Sequence, residues 1–374
     1  MAAYSQDPRV VMTLDAGGTS FRFSAMRGNN PVTPTVILPS NADNLDRCLN
    51  TIIDGFATTK QRCPEQPIAI SFAFPGPADY PNGIIGDLPN LPAFRGGVAL
   101  GPLLEEAFGI PVFINNDGDL FAYGEAIAGF LPHVNKLLED AGSPKRYKNL
   151  LGLTIGTGLG GGIVRDSELF IGDNSIAGEV WLLRNKLAPS MNAEEGACIR
   201  AVRRVYGERA GIPFSETPEP KIICEIGNGN HPGNRTAAIA AFRQLGEIVG
   251  DVMATALTLV DGLAVIGGGL SSAWPLFLDD AVSEMNSTYI GPSGNSFPRL
   301  ASKAFNLQDP VQMEKFVRGE SREIKVPRSA QTVQFDSLRR VGIGISCLGT
   351  SQAIAIGAYA FALRHLDGRL APTM

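Results

Sequence analysis

The chain has 374 residues, enough for two or three domains at roughly 150 residues each and for a substantial buried core. Hydrophobic residues make up 44% of the sequence and charged residues 18%, with 43 Gly and 26 Pro, which is typical of a turn-rich α/β protein and excludes a disordered or coiled-coil chain. The formal charge is −5 and no Lys/Arg run exceeds two residues, so we expect a small-molecule partner and neither nucleic acid nor a membrane.

The first predicted elements are a strand over residues 10–14, a tight turn at 15–19 and a returning strand over 20–26 with period two. Apolar residues at 45, 49, 52, 53 and 56 recur at helical spacing and predict a helix. Strands over 68–74 and 112–114 follow, separated by a Pro-Gly-Pro turn and a stretch to residue 94 without a regular pattern. Because strands and helices alternate, we predict an α/β fold.

The second half of the chain repeats the opening arrangement. A polar interval at 132–149 precedes a strand over 150–155, a glycine-rich turn and a strand that resumes at 163. A strand, glycine turn and strand that recur after about 140 residues indicate two similar halves. A long buried helix with apolar positions from Ile239 to Leu257 leads to a strand over 263–266, a polar segment at 291–337 and an Ala-rich helix over 351–363.

The N-terminal residues and the cysteines bear on the compartment. Residues 1–8 lack the features of a signal peptide, and no apolar run approaches the roughly 20 residues of a membrane span, so we expect a cytoplasmic protein. The five cysteines are scattered and form no Cys-x-x-Cys pair. We therefore expect reduced thiols, with neither a disulfide framework nor a cysteine zinc site.

The first glycine loop, residues 15–19, has the sequence Asp-Ala-Gly-Gly-Thr. Asp15 stands at a strand end beside Gly17 and Gly18, whose missing side chains let backbone N–H groups approach an anion, and Thr19 adds a hydroxyl. Phosphate and a metal ion would suit this arrangement. A hairpin turn in which the carboxylate binds its own backbone explains the motif equally well.

The second glycine loop, residues 156–162, has five glycines in seven positions, more than a hairpin turn requires. Close approach of the backbone to a ligand is the simplest explanation, and a flexible loop is the alternative. No Gly-Lys-Ser/Thr follows, so the loop is not a Walker motif. The chain resumes as a strand, so the loop is not a dinucleotide-binding fingerprint either.

Asn116 and Asp117 follow an apolar strand, at the position where α/β folds bind ligands. A carboxylate at this position can accept a proton. The alternative is an Asn-Asp-Gly turn in which Asp117 caps the next helix, and the motif by itself slightly favours that alternative.

The order of these motifs resembles the actin-like, ribonuclease-H-like ATPase superfamily and, within it, the ROK family of sugar kinases and repressors. The resemblance covers nearly the whole chain and includes Pro-Gly-Pro at 75–77, Asn90, Gly124-Glu125, Ala177-Gly178-Glu179, three glycines at 267–269 and Ala-Ile-Gly at 355–357. It implies a two-lobed actin-like α/β fold with the active site in the cleft between the lobes. The expected lobes are a small one at 1–116, completed by the C-terminal helix 356–374, and a large one at 117–355.

The resemblance further implies an ATP-dependent kinase that phosphorylates a hexose or a related sugar. Asp117 matches the general base that takes the proton of the attacking hydroxyl, and Asp15 matches the carboxylate near Mg²⁺, acting through water. The implied nucleotide ligands are Asp15, Gly17, Gly18, Thr19, Gly156, Thr157, Gly158, Gly160, Gly267, Gly268 and Gly269. The implied sugar ligands are Gly76, Asn90, Asn116, Asp117, Glu179 and Glu194. ATP and Mg²⁺ are the expected cofactors, a sugar is the expected partner, and we expect a homodimer.

The sequence departs from the family pattern after Glu179. Relatives carry a histidine and then a cysteine-rich zinc loop, whereas Leu182 stands at the histidine position and no cysteine lies between it and Glu194. We therefore expect no zinc. Glu194 aligns with a sugar-binding glutamate of the family, and the alternative is an exposed carboxylate at a helix start.

Two other functions compete with the kinase. A repressor of the same family would carry a DNA-binding domain before the first glycine loop, where only fourteen residues precede Asp15. A catalytically weak, sugar-binding regulatory protein without a DNA-binding domain is the second alternative. The retention of Asp15, Asp117 and both glycine loops favours the enzyme.

Overall fold

The structure is a computed structural model, and it describes residues 4–17, 19–76, 78–86 and 92–370. The chain forms two compact units. The first contains Met1–Gly129, Glu168–Ala177 and Leu348–Met374, and the second contains Phe130–Ser167 and Gly178–Cys347. The units divide after residues 129 and 347, whereas the lobe boundaries expected from the sequence lie after 116 and 355.

The strands of the described residues are, in chain order, β1 (Val11–Ala16), β2 (Ser20–Arg27), β3 (Asn30–Pro31), β4 (Val36–Pro39), β5 (Ala69–Ala73), β6 (Ala78–Asp79), β7 (Ile84–Ile85), β8 (Val98–Ala99), β9 (Val112–Asn115), β10 (Leu150–Ile155), β11 (Leu159–Arg165), β12 (Glu168–Phe170), β13 (Leu263–Gly267), β14 (Thr288–Ile290), β15 (Ser296–Pro298), β16 (Lys303–Asn306), β17 (Ser321–Lys325), β18 (Thr332–Asp336) and β19 (Arg340–Ile345). The helices are α1 (Leu45–Arg62), α2 (Leu100–Phe108), α3 (Asp117–Ile127), α4 (Phe130–Asp140), α5 (Ile199–Ala210), α6 (Pro220–Asn228), α7 (Arg235–Val260), α8 (Leu278–Met285), α9 (Pro310–Arg318) and α10 (Thr350–Leu370). Within the described part of the chain, no helix is both long enough and apolar enough to cross a membrane.

The sheet of the first unit has the strand order β3-β2-β1-β5-β9, and β4 pairs with β2. Strands β1 and β2 are antiparallel, whereas β5 pairs in parallel with both β1 and β9. In this register Asp15 lies opposite Ala73, and Ala73 lies opposite Asn115. The carboxyl ends of β1, β5 and β9 therefore meet at one edge of the sheet, with Asp15 and Asn115 two strand spacings, or about 10 Å, apart.

Two layers of helices cover this sheet. On one face, α1 completes a cluster of buried aromatic side chains that includes Phe23, Phe56 and Phe72. Helix α10 packs against the sheet and against α3. A Cβ atom on Gly124 would lie 1.9 Å from the carbonyl oxygen of Ala353, and one on Gly357 would lie 2.0 Å from that of Leu120. Glycine at these two positions lets the helix backbones touch.

The second unit repeats the topology of the first. Its central sheet contains the order β11-β10-β13-β19-β16, in which β10 and β11 are antiparallel and the other neighbours are parallel. An antiparallel hairpin followed by two parallel strands is the arrangement of β2-β1-β5-β9 as well. The predicted duplication and the actin-like α/β fold class are thus confirmed, as are the strands predicted on both sides of each glycine loop.

Some predicted elements need correction. The polar interval at 132–149 begins with α4, whose buried side chains Phe130, Leu131, Val134 and Leu138 are spaced for one helix face, and polar residues on the other face mask this pattern. The stretch before residue 94 contains β6 and β7, which form a small sheet with β8. Ile239 of α7 is exposed and not part of the core.

The polar segment at 291–337 is also structured, with the hairpins β14–β15 and β17–β18, strand β16 and helix α9. The side chain of Arg340 is fully buried and pairs with Asp336 at 2.6 Å. The hydroxyl of Tyr147 donates to the carbonyl oxygen of Arg340 at 2.6 Å, and burial raises the pKa of this tyrosine. Arg340 thus connects the two polar segments of the second unit.

Candidate active site

The first glycine loop joins β1 to β2. Asp15 is exposed near the end of β1, opposite Arg22 of β2 and Ala73 of β5. A Cβ atom on Gly17 would lie 2.8 Å from the carbonyl oxygen of Ser20, so the tightness of the turn accounts for this glycine. Thr19 is exposed, and Gly18 lies outside the described residues. The loop therefore presents a carboxylate and a hydroxyl to solvent at the sheet edge.

Asn116 and Asp117 begin helix α3 at the same edge. Asn116 caps the helix, since its Oδ1 accepts the N–H of Gly118 at 2.7 Å, and its own N–H donates to Oδ1 of Asn115 at 2.9 Å. Asp117 is the first helical residue, and its Oδ1 accepts the Gly118 N–H at 2.9 Å. The alternative in which Asp117 is the cap is therefore wrong, because Asn116 holds that position.

The environment of Asp117 raises the pKa of its carboxyl above that of an ordinary aspartate. Part of the residue is open to solvent, yet protein atoms crowd the carboxyl, and this desolvation raises its pKa. The backbone N–H groups of Gly118 and of Asp117 itself lower the pKa, and the negative charge of Asp15 raises it further, with a net increase above the ordinary aspartate value. A carboxylate with a raised pKa is a stronger base than an ordinary aspartate.

The sugar ligands expected in the first unit are only partly described. Gly76 follows β5 at the same edge, and a Cβ atom there would lie 2.9 Å from the hydroxyl oxygen of Tyr80. That hydroxyl donates to the carbonyl oxygen of Phe74 at 3.0 Å, so it fixes the turn that contains Gly76. Asn90 lies outside the described residues.

In the second unit, the second glycine loop contacts Glu194. Strand β11 begins at Leu159, so only residues 156–158 lie outside the strands. Oε2 of Glu194 accepts the N–H of Leu159 at 3.1 Å, and a Cβ atom on Gly158 would lie 2.5 Å from the same oxygen. A Cβ atom on Gly161 would lie 2.5 Å from the carbonyl oxygen of Gly178. The protein's own packing thus explains two of the glycines, and the exposed Thr157 marks the side of the loop open to a ligand.

The glycines that follow β13 lie beside this loop. Thr154 of β10 pairs with Gly267, so both glycine turns leave the same edge of the sheet. Gly268 has a φ of +87°, and a Cβ atom there would lie 2.4 Å from the carbonyl oxygen of Ile155, so only glycine fits. Gly269 is exposed with open space around its Cα atom, where a ligand could approach the backbone.

Glu179 and Glu194 are held by neighbours that the sequence patterns did not reveal. The indole N–H of Trp181 donates to Oε2 of Glu179. Arg200, near the start of α5, donates to Oε1 of Glu194 at 3.2 Å. Glu194 stands in a short helical turn before α5, as the alternative interpretation had it, but it is half-buried and bound to a loop and an arginine, not freely exposed. The only sequence signals were an indole two residues from Glu179 and a basic residue six positions after Glu194.

Polar contacts hold the segment after Leu182, where the resemblance would place a zinc loop. Asn185 is only 3% exposed, and its Oδ1 accepts the N–H groups of Leu187 and Ala188 at 3.0 and 3.1 Å. Lys186 pairs with Glu247 at 2.8 Å and with Glu284 at 2.6 Å. Leu182 is 61% exposed. Among the residues that the structure describes, no group of three or more His, Cys, Asp or Glu could hold a metal ion.

The duplicated fold and the four polar or glycine-rich turns at its sheet edges define a protein of the actin-like ATPase class. The ROK family profile matches residues 11–304, and the chain belongs to the ROK family.

Three relatives illustrate the relationship. The crystal structure of a glucokinase from Parabacteroides distasonis is 53% identical, with a TM-score of 0.89, and the match covers 97% of this chain and 99% of that one. The glucokinase of Thermotoga maritima is 23% identical over 299 residues, 75% of this chain and 88% of that protein. The N-acetyl-D-glucosamine kinase of Vibrio parahaemolyticus is 27% identical over 272 residues, 69% of this chain and 83% of that protein.

Proposed function

We propose that the protein is an ATP-dependent sugar kinase that phosphorylates a hexose, with glucose as the first candidate. One observation carries the proposal: the carboxyl of Asp117 has a raised pKa and lies at the same sheet edge as Asp15. The 53% identity to the Parabacteroides distasonis glucokinase, over 97% of this chain, supports both the reaction and the sugar.

Asp117 is the general base of the proposed reaction. The sugar hydroxyl oxygen attacks the γ-phosphorus of ATP, its proton passes to Asp117, and the bond to the bridging oxygen breaks to release ADP. The Gly118 N–H binds Oδ1 of Asp117, which orients the carboxylate and leaves Oδ2 for the proton. The raised pKa of Asp117 strengthens this base, and Asn116 keeps the helix start in place.

Asp15 fits the role of the carboxylate that holds Mg²⁺. It is exposed, and among the described residues it forms no ion pair with a cation. Magnesium needs only one or two carboxylates, since waters and substrate phosphates complete its coordination. When bound, Mg²⁺ neutralises charge on the phosphates. Asp15 would hold it directly or through water.

The remaining ligands are assigned by the family resemblance and by exposure. Backbone groups of the first glycine loop, of residues 156–158 and of residues 267–269 would bind the nucleotide, as the exposed Thr157 and Gly269 favour. Gly76, Asn90, Asn116, Glu179 and Glu194 would bind the sugar. Polar ligands that a bound sugar covers discriminate between sugars, because a wrong hydroxyl leaves a ligand unpaired.

The test is a coupled assay of ADP release with glucose, fructose, mannose, N-acetylglucosamine and N-acetylmannosamine, with calorimetric titration of the same sugars. We expect Mg²⁺-dependent ADP release, fastest with glucose. Sugar binding without ADP release would support the regulatory alternative and refute the kinase. Release of ADP with another sugar alone would keep the kinase and refute glucose.

A further inference from the structure

Arg200 joins the second glycine loop to the turn that carries Glu194. Nη1 of Arg200 donates to the carbonyl oxygen of Thr157 at 3.0 Å. Nη2 donates to Oε1 of Glu194 at 3.2 Å and to Oε1 of Glu195 at 3.1 Å. Because Glu194 also accepts the N–H of Leu159, these contacts bridge the residues on either side of Gly158.

The bridge fixes the orientation of one peptide plane. A trans peptide is planar, so the N–H of Gly158 points away from the carbonyl of Thr157. With that carbonyl bound to Arg200, the Gly158 N–H faces the opposite side, and it donates to no residue among those described. Glycine tolerates both orientations of this peptide at little cost, so a contact from outside the loop must select one.

Arg200 itself is surrounded by negative charge. Its guanidinium lies between the carboxylates of Glu194 and Glu195, and Arg204 also pairs with Glu195, at 3.5 Å. A guanidinium already bound by two carboxylates and a carbonyl has most of its donors in use. This arrangement suits a residue that holds the loop, and it does not suit one that binds phosphate itself.

We propose that Arg200 is a positioning residue that locks the Thr157–Gly158 peptide so that the Gly158 N–H is available to a nucleotide phosphate. The proposal rests on the proposed kinase function, because it assigns that peptide to the nucleotide site. Without the lock, the peptide turns over, and the Thr157 carbonyl oxygen faces the phosphate and repels it.

The test compares Arg200→Gln and Arg200→Lys with the matched control Arg203→Gln. Arg203 lies on the same helix and binds Thr217 and Glu219 away from the loop. Calorimetry measures the binding of the non-hydrolysable analogue AMPPNP with Mg²⁺ and, separately, of glucose. Mass spectrometry measures amide exchange of the peptide that contains residues 156–162.

We expect Arg200→Gln to raise the Kd for AMPPNP about tenfold, because a tenfold change corresponds to the loss of one hydrogen bond to a charged group. Amide exchange in the loop should also become faster. Glucose affinity should fall less than AMPPNP affinity, because the proposed sugar ligand Glu194 loses its contact with Arg200 but keeps its hydrogen bond to the Leu159 N–H. The melting temperature should stay unchanged. Arg200→Lys keeps the positive charge but loses the bidentate geometry of the guanidinium, so its Kd for AMPPNP should lie between those of Arg200→Gln and wild type. The Kd of Arg203→Gln for AMPPNP should equal that of wild type.

An unchanged Kd for AMPPNP in Arg200→Gln overturns the proposal, and so does an equal loss of glucose affinity, which would place Arg200 in the sugar site. Failure of the proposed function gives a different result. A wild-type protein that binds AMPPNP but releases no ADP with any sugar would refute the kinase function. The AMPPNP affinities and amide exchange of the Arg200 variants would still show whether Arg200 fixes the Thr157–Gly158 peptide.

Discussion

Replacing Asp117 by asparagine separates the chemistry of this residue from its structural contacts. The asparagine carbonyl oxygen can still accept the Gly118 N–H that Asp117 accepts at 2.9 Å, and the cap by Asn116 at 2.7 Å is untouched. Only the proton acceptor is lost. Removal of a general base typically lowers kcat by about 10² to 10⁴, which corresponds to roughly 3 to 5 kcal/mol of barrier.

The raised pKa of Asp117 sets the sign of two further effects. A carboxyl whose pKa is raised in the folded state contributes stability below its unfolded pKa and loses that contribution as the pH rises through the folded value. The charged form therefore destabilises the protein at neutral pH, and Asp117→Asn should leave the melting temperature unchanged or higher. The acid limb of the kcat profile should lie above the ordinary aspartate range and vanish in the variant.

The assay is ADP release with glucose across a pH series, with thermal unfolding of each variant. Asp46→Asn is the matched control, since Asp46 is an exposed carboxylate in the first turn of α1, and its kcat should equal that of wild type. Wild-type turnover in Asp117→Asn, or an acid limb that persists in it, would refute the assignment of Asp117 as the base.

Three other changes test the site. In Gly158→Val, a β-branched side chain would stand where the backbone must meet phosphate, so AMPPNP affinity should fall more than glucose affinity in calorimetry. Some loss of glucose affinity is expected as well, because the new Cβ would lie 2.5 Å from Oε2 of the proposed sugar ligand Glu194. An AMPPNP affinity equal to that of wild type would make Gly158 a plain turn residue. EDTA should stop ADP release reversibly without lowering the melting temperature, and elemental analysis should find no stoichiometric zinc; one zinc per chain would contradict our alignment after Leu182. Asn185→Ala removes the acceptor of two N–H groups from a buried position and should lower the free energy of unfolding in urea by about 1 to 3 kcal/mol. Unchanged stability would show that Asn185 does not hold this segment.

The sequence patterns predicted those strands and helices whose residues carry a recognisable pattern within the element itself. Strands β5 and β10 are runs of buried apolar residues, and such strands are recognisable without a partner. Helix α2 escaped prediction because Gly101 and Pro102 are typical of turns, although proline is tolerated in a first helical turn. The order of the glycine turns predicted the duplication, which the sheets confirm.

The contacts around Glu194 could not be predicted from the sequence. Leu159 and Glu194 are 35 positions apart, and Arg200 reaches Thr157 across 43 positions, so only the folded second unit brings them together. The raised pKa of Asp117 likewise depends on the desolvation of its carboxyl by surrounding protein atoms and on Asp15, a residue far away in the chain. Sequence patterns specify residue types at turns, whereas these contacts depend on the packing of distant segments.

The close contact between α3 and α10 constrains the order in which the chain can fold during synthesis. Gly124 and Gly357 meet across a helix pair whose members are separated in the sequence by all the residues of the second unit. Residues 130–347 leave the ribosome before α10, so the second unit can gather its core while β1, β5 and β9 still lack one covering helix. The helix that begins with Asp117 therefore gains its packing partner last, and translation that stops before α10 leaves that helix and its sheet face without their cover.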